Sequence, residues 1–324
     1  MSDFNNERTR VSVLGCPRPR LSPLEAQDTF ISAYGRLREL ARVARQPAVL
    51  AVAVDAHARV VEAVIVESGH SLVIGRHTGC GLRLRSSDVS LRHLVLHAQC
   101  DAPGVAPVIR LWDLNTEHPF RTEDGQPNAA VSAQGLLYVS VGEYALLFLP
   151  TRGPSEPSWP ERAEQAWRAL PSRHFIDRRS SVPPHLRHTR CQEAEMRGDY
   201  TNIVRLGPLR LLLGEHEGPE AAWGELRLEG EKKKERHRVS LERLEQGVLL
   251  GRYERCGILL SELGQISRVH LLLIQVGARL LAIDTASTNG TRRGATQIET
   301  TPLEDSDSLE LGEELRVHWC RLHA

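Results

Sequence analysis

Apolar residues along this chain fall mostly into short runs bounded by turn-forming residues, and one stretch near the amino terminus repeats them at helical spacing instead. There Phe30, Tyr34, Leu37, Ala41 and Val43 fall near one face, which predicts a single helix. From Ala48 the texture becomes that of β-strands, with runs at Val49 to Val54, Val60 to Val66, Ser71 to Ile74, Leu94 to His97, Val108 to Leu111, Leu136 to Val141 and Tyr144 to Leu149. Asp55, Gly69, Gly79, Pro103-Gly104 and Asp124-Gly125 separate them, the pattern of an all-β sandwich rather than of a parallel α/β sheet.

Half of the 18 prolines lie between residues 150 and 219, with an Arg- and Ser-rich stretch at Arg178 to Ser181, so this region reads as a linker. A short helix around Glu161 to Leu170 and a strand within Val204 to Leu213 are expected inside it. The β texture returns at Gly224 to Leu228, Arg238 to Leu241, Gly247 to Leu250, Ile258 to Leu260, His270 to Val276, Leu280 to Asp284 and Ser308 to Trp319. A chain of 324 residues suits two domains. The expected division is an amino-terminal segment with a helix at 1–47, a β-sandwich at 48–150, a Pro-rich linker at 151–220 and a second sandwich at 221–324.

Composition narrows the function classes. Hydrophobic residues at 41% and charged residues at 25% are globular values. Basic and acidic residues balance at 41 each, so no global field draws the chain to nucleic acid or to a membrane surface, and neither partner is expected. Lys232-Lys233-Lys234 is interrupted by Glu229, Glu231 and Glu235, without interleaved aromatics, and reads as a solvated hairpin turn. No run approaches a membrane span, and the first residues lack the apolar core of a signal peptide, so a cytoplasmic setting is expected. The six cysteines are scattered without a C-x-x-C pair and read as free thiols. No histidine spacing suggests a metal, no phosphate-loop motif occurs, and no cofactor is expected.

The two β regions resemble each other. Ser71-Leu-Val-Ile-Gly75-Arg76 precedes Cys80-Gly81-Leu82 as Gly247-Val-Leu-Leu-Gly251-Arg252 precedes Cys256-Gly257-Ile258. Ser90-Leu91-Arg92-His93 starts fourteen residues after Arg76, and Ser267-Arg268-Val269-His270 fifteen after Arg252. Each leads through aliphatic strands to an aspartate-headed turn, Asp113-Leu114-Asn115-Thr116 or Asp284-Thr-Ala-Ser287-Thr288-Asn289-Gly290-Thr291. Gly-Arg, then Ser-x-x-His, then Asp-x-x-Ser-x-Asn-Gly-Thr resembles the forkhead-associated (FHA) domain family at every motif of the second copy, over roughly 221–322. The first copy matches two motifs of three.

The resemblance implies two FHA-like sandwiches in tandem and, for the second, recognition of phosphothreonine peptides. It assigns Arg252 and Ser267 to the phosphate, Arg268 to a supplementary contact, and Thr288 and Asn289 to the peptide, with Gly251, His270 and Gly290 supporting the site. The chemistry agrees. A phosphate with about −1.5 to −2 charges suits a permanently charged guanidinium and short hydroxyl donors. The amide of Asn289 can take a peptide N–H and C=O together. Gly290 is expected at positive φ. A Ser/His nucleophile finds no elbow motif and no acidic partner placed by spacing, so His270 and His93 read as loop braces and the chain as no enzyme.

In the first copy Arg76, Ser90 and Arg92 form a weaker candidate site, because Glu117, His118, Pro119 and Phe120 replace Thr288, Asn289, Gly290 and Thr291. Phosphopeptide binding, protein docking and a duplicate kept only for packing all stay open for it. The reading as a whole is a non-enzymatic phosphothreonine-binding adaptor in serine/threonine kinase signalling, its partner a phosphothreonine protein such as a kinase or a kinase substrate. The alternative is a scaffold that docks unmodified proteins.

Overall fold

The longest apolar runs have no polar alternation, and the computed structural model shows why: sheets carrying them are covered on both faces. It describes residues 26–42, 48–100, 107–122, 125, 127–151, 160–168, 222–231 and 233–322, with the backbone alone at Gln134, 174–177 and 202–205. Val43, most of the proline-rich stretch, Arg178 to Ser181, the Pro103-Gly104 turn, Asp124 and the remainder of the expected strand to Leu213 lie outside the described residues.

The first unit holds β1 (Ala48–Val54), β2 (Val60–Glu67), β3 (Ser71–Gly75), β4 (Leu82–Arg83), β5 (Leu94–Gln99), β6 (Val108–Asp113), β7 (Ala130–Gln134), β8 (Leu137–Val141) and β9 (Tyr144–Thr151). One sheet runs β2-β1-β9-β8. The other runs β7-β6-β5-β3-β4 and is extended beyond β7 by β10 (His174–Asp177) and β11 (Asn202–Arg205). Helix α1 (Ala26–Ala41) lays Phe30, Ala33, Tyr34 and Leu37 on the outer face of the first sheet, against Leu50, Val52, Leu147 and Leu149. Helix α2 (Ala163–Arg168) joins that layer through Ala166 and Trp167, and the Tyr34 hydroxyl donates to the Pro160 carbonyl at 2.5 Å. The stretch read as a linker thus carries the expected helix, as α2, and two strands, of which β11 overlaps the expected one and β10 was not expected.

The second unit is built from β12 (Gly224–Glu229), β13 (Lys234–Val239), α3 (Leu241–Gln246), β14 (Val248–Gly251), β15 (Ile258–Leu259), β16 (Leu271–Val276), β17 (Arg279–Asp284), β18 (Thr291–Arg293), β19 (Thr296–Ile298), β20 (Thr300–Leu303), β21 (Ser306–Leu311) and β22 (Leu315–Arg321). Its sheets run β13-β12-β22-β21-β18-β19 and β15-β14-β16-β17-β20. Where one strand was expected to run from Arg238 to Leu241, β13 ends at Val239 and α3 begins. The Ser240 Oγ caps that helix by accepting from Arg243 N–H at 3.2 Å, and Gly247, at φ 93°, closes its other end.

Strand alternation assigns the apolar residues to separate cores. In β16, Leu271 and Leu273 face the interior of the second sandwich, while Leu272, Ile274 and Val276 face the first unit. In β3 and β5, Ile74, Leu94 and Leu96 face inward, while Val73 and Val95 face the second unit. Val73, Val95 and Trp112 thus form one cluster with Leu249, Leu272, Ile274, Leu281 and Ile283, and the two sandwiches meet sheet against sheet. The chain is all-β in class, with a helix layer on one outer face. No helix among the described residues is long and apolar enough to cross a membrane.

Ile274 is fully buried in this seam. Ile274→Ala should lower the unfolding free energy by about 2–5 kcal/mol, the range for large-to-small changes at packed sites. Urea denaturation followed by circular dichroism checks this, and an unchanged midpoint would mean that the seam does not persist in solution.

Candidate functional site

The loops at one end of each sandwich are tied by backbone bonds that recur in both copies. Arg76 N–H donates to Ser90 O at 3.0 Å and Arg252 N–H to Ser267 O at 3.1 Å. His77 N–H and Tyr253 N–H each donate at 2.8 Å, to Leu91 O and Arg268 O. Glycine precedes each arginine because the serine loop passes so close. A Cβ on Gly75 would stand 2.5 Å from Leu91 O, and one on Gly251 would stand 2.2 Å from Arg268 O. The recurring cysteines sit beneath these loops, Cys80 Sγ 3.3 Å from Leu91 O and Cys256 Sγ 3.4 Å from Arg268 O. Burial pushes their thiols up to about 11 and about 12, which keeps them protonated and unreactive.

Each histidine bridges two loops. Ser267 N–H donates to His270 Nδ1 at 3.1 Å, which places the ring hydrogen on Nε2, and that atom donates to Gly290 O at 3.2 Å. The first copy repeats this, with Ser90 N–H to His93 Nδ1 at 3.1 Å and His93 Nε2 to His118 O at 3.0 Å. Both rings are buried and serve as braces between loops. The aspartate-headed turns also recur: Asp284 accepts from Ser287 N–H at 2.7 Å, Ser287 Oγ at 2.6 Å and Thr291 Oγ1 at 2.7 Å, and Asp113 from Thr116 N–H and Oγ1, both at 2.7 Å. Ala286 and Asn115, the third residue of each turn, share φ 58°.

On this frame the second copy gathers donors. Arg252 is exposed; its Nε donates to Ile266 O at 2.5 Å, and its terminal nitrogens have no protein partner among the described residues. The Ser267 hydroxyl, on a residue 6% exposed, accepts from Thr288 N–H at 3.0 Å and lies 3.4 Å from Thr288 Oγ1. Arg268 and Thr288 are exposed. Asn289 is also exposed and spends one amide hydrogen on Gln265 O at 2.8 Å, keeping its other hydrogen and its Oδ1. Gly290 adopts φ +75°, and a Cβ there would stand 2.6 Å from the Gln297 side chain.

The first copy differs. Arg76 holds the place of Arg252, its Nε 3.2 Å from Val89 O, and Ser90 lies on the same short loop. Glu117 turns to the second unit, 3.4 Å from Arg255. Arg92, expected beside Arg76 and Ser90, instead crosses the seam. Two residues beyond the serine, its side chain points at the facing sheet rather than at its own loops. Its Nε and Nη2 donate to the Ala286 carbonyl at 2.9 and 2.6 Å, and Nη2 lies 3.5 Å from Ser267 Oγ. Asn115 crosses in the same way, donating from Nδ2 to Arg255 O at 2.8 Å.

Residues 248–312 match the family model described as FHA domain. Among solved structures the chain is similar to one from a study of phosphothreonine-dependent FHA domain interactions, at 25% identity and TM-score 0.27, over 31% of this chain and 97% of that one. It is also similar to FHA-1 of Rv1747 from Mycobacterium tuberculosis, at 22% identity and TM-score 0.26, over 32% of this chain and 100% of that one. A third likeness is to the FHA domain of the CT664 protein from Chlamydia trachomatis, at 14% identity and TM-score 0.27, over 32% of this chain and 96% of that one. The comparison with curated proteins gave no match. The matched family is an interaction module.

The buried histidines set a pH dependence. Burial pushes His93 down to about 4, outweighing the hydrogen bond to the His118 carbonyl, which raises it. Burial, with Arg110 second, also pushes His97 to about 4, and burial lowers His270. A histidine near 4 when folded and about 6.5 when unfolded binds more protons in the unfolded chain between those values. Its contribution is fully present above about pH 6.5 and is lost toward pH 4, at on the order of 1 kcal/mol per pH unit per histidine. Urea unfolding from about pH 7.5 down to about 4.5 should show this decline. His97→Gln should flatten the slope, and an identical slope in that variant would count against a neutral His97.

Proposed function

We propose that the chain is a non-enzymatic reader of phosphothreonine peptides that acts as an adaptor in serine/threonine kinase signalling, with the second sandwich as the binding domain. The observation that carries this reading is an assembled set of anion donors on a braced frame. Arg252 has its Nε anchored and its terminal nitrogens without a protein partner among the described residues, beside a Ser267 hydroxyl already fixed by Thr288 N–H. A phosphate dianion offers three acceptor oxygens to such a set, and guanidinium bonds to it are charge-assisted. Arg268 adds charge at the rim, and Thr288 and Asn289 stand where a peptide backbone would lie. The family matched at 248–312 supports the same reading. The partner is a protein phosphorylated on threonine, such as a kinase or a kinase substrate.

The first sandwich is read as a divergent FHA-like domain. It keeps the frame, through Gly75, His93 and the Asp113 turn, but lacks the Asn-Gly pair and directs Glu117 at the second unit. Its role in this reading is docking against its neighbour rather than reading a second phosphate. The two sandwiches form a tandem pair with one recognition site between them.

Titration calorimetry of the whole chain against an oriented phosphothreonine peptide pool, with its unphosphorylated counterpart as control, tests the proposal. A hydrogen bond to a charged group is worth about 1.5–3 kcal/mol, so Arg252→Ala, losing a two-point contact, should weaken binding on the order of 100-fold or more. Equal affinity for the two pools, or unchanged binding by the variant, would favour phosphate-independent docking.

A further inference from the structure

Arg92 belongs to the first sandwich but reaches Ser267 and the Ala286 carbonyl of the second. It is 8% exposed and makes no ion pair among the described residues. Asp284, the acid of the adjoining turn, is already engaged by Ser287 and Thr291. A guanidinium keeps its charge at any cellular pH and is costly to bury; the Asp284 carboxylate favours that charge, though no direct ion pair joins the two. Its known neighbours are neutral acceptors, the Ala286 carbonyl and the Ser267 hydroxyl. Arg268 carries a like charge that repels that of Arg92.

We propose that Arg92 completes the phosphate site of the second sandwich from across the seam, so that an anion bound at Ser267 is held by three arginines, two from its own domain and one from the other. The inference rests on the phosphothreonine reading above. The Ser267 oxygen has two lone pairs and one hydrogen. Thr288 N–H fills one lone pair and Arg92 Nη2 faces the other, which leaves the O–H to donate. Its present acceptor, Thr288 Oγ1 at 3.4 Å, is a distant one that a phosphate oxygen would displace. The two bonds from Arg92 to the Ala286 carbonyl fix the turn two residues before Thr288, and so place the donors that follow. The partially buried setting leaves the charge of Arg92 poorly screened toward an incoming dianion.

The seam is asymmetric at this point. The residue equivalent to Arg92 in the second copy is Val269, which is buried in the apolar cluster, so that position sends no cation the other way. The copy that receives the arginine is also the one that keeps Thr288, Asn289 and Gly290.

The test uses the whole chain and a phosphothreonine peptide, measured by calorimetry beside urea denaturation of each variant. Arg92→Met keeps the length and apolar stem but removes the charge and donors; it should bind on the order of 10- to 100-fold more weakly. Arg92→Lys, which keeps the charge, should retain more affinity than Arg92→Met. Asn115→Ala removes the opposite cross-seam bond without touching Ser267 and should bind as the wild type does. Should Arg92→Met fail to fold, Arg92→Gln asks the same question with donors kept and charge removed. Unchanged affinity in the charge-free variant, while Arg252→Ala loses binding, would overturn the role of Arg92 alone. A loss in Asn115→Ala as large as in Arg92→Met would assign the effect to the seam and also overturn it. If the wild type shows no preference for the phosphorylated peptide, the phosphothreonine reading falls, and this inference with it.

Discussion

The apolar seam between the two sandwiches is the constraint on which the rest of the structure depends. Strands β3, β5, β14, β16 and β17 each bury one face in their own core and present Val73, Val95, Leu249, Leu272, Ile274, Leu281 and Ile283 to the facing sheet. Exposed, those faces would make a contiguous hydrophobic patch of the kind soluble proteins rarely show. Docked, they resemble a domain core cut in half, the composition of an obligate interface rather than of a transient one. Because the sheets in contact are the ones that carry the Gly-Arg and serine loops, packing them together brings the loop ends of both copies alongside each other. Asn115 then reaches Arg255, and Arg92 reaches Ala286.

Frame and recognition have separate physical bases. The frame is held by backbone geometry that few residue types can supply. It needs a glycine where the serine loop passes within contact of the strand, an imidazole that accepts from one loop and donates to another, and an aspartate that closes the turn. Both copies keep all three. The recognition proposed for the second sandwich would depend on side chains that point away from this frame, and nothing in the fold requires them. Replacing Thr288 and Asn289 by Glu117 and His118 therefore leaves the brace intact, with the carbonyl of His118 taking the place of that of Gly290. A loop can lose its ligand contacts and keep its shape.

Strands made of β-branched and aliphatic residues were legible in the sequence because their pattern is local. Those missed had weaker textures. Ala130–Gln134 mixes small and polar residues, and β18 to β20 are rich in threonine and arginine, their pairing decided by neighbours distant in sequence. Helix α3 carried its own signals, Ser240 at one end and Gly247 at the other, but is too short for an apolar period to outweigh the valine and leucine beside it. Within the candidate site, the positions of Arg252, Ser267, His270, Asn289 and Gly290 follow from motif spacing. The placement of Arg92 does not. Spacing shows that it follows Ser90, whereas its contact depends on which sheet faces which. The available hint was the unbroken apolar run Leu271 to Ile274, a sign that both faces of that sheet are covered.

Under the proposed reading, two similar sandwiches that dock through the same face meet a conflict, because near that face their loops must serve both the interface and the proposed ligand. Here the conflict is resolved unequally. In the first copy the third residue of the aspartate turn is Asn115, which donates across the seam, and Glu117 pairs with Arg255, so this loop is spent on the interface. In the second copy the equivalent residue is Ala286, which has no side-chain donor and offers its carbonyl to Arg92, so the residues after it stay exposed. The donations from Asn115 and from Arg92 therefore both run from the first unit to the second. The first sandwich gives up its loop and an arginine, and the donors that remain unspent are collected around Ser267.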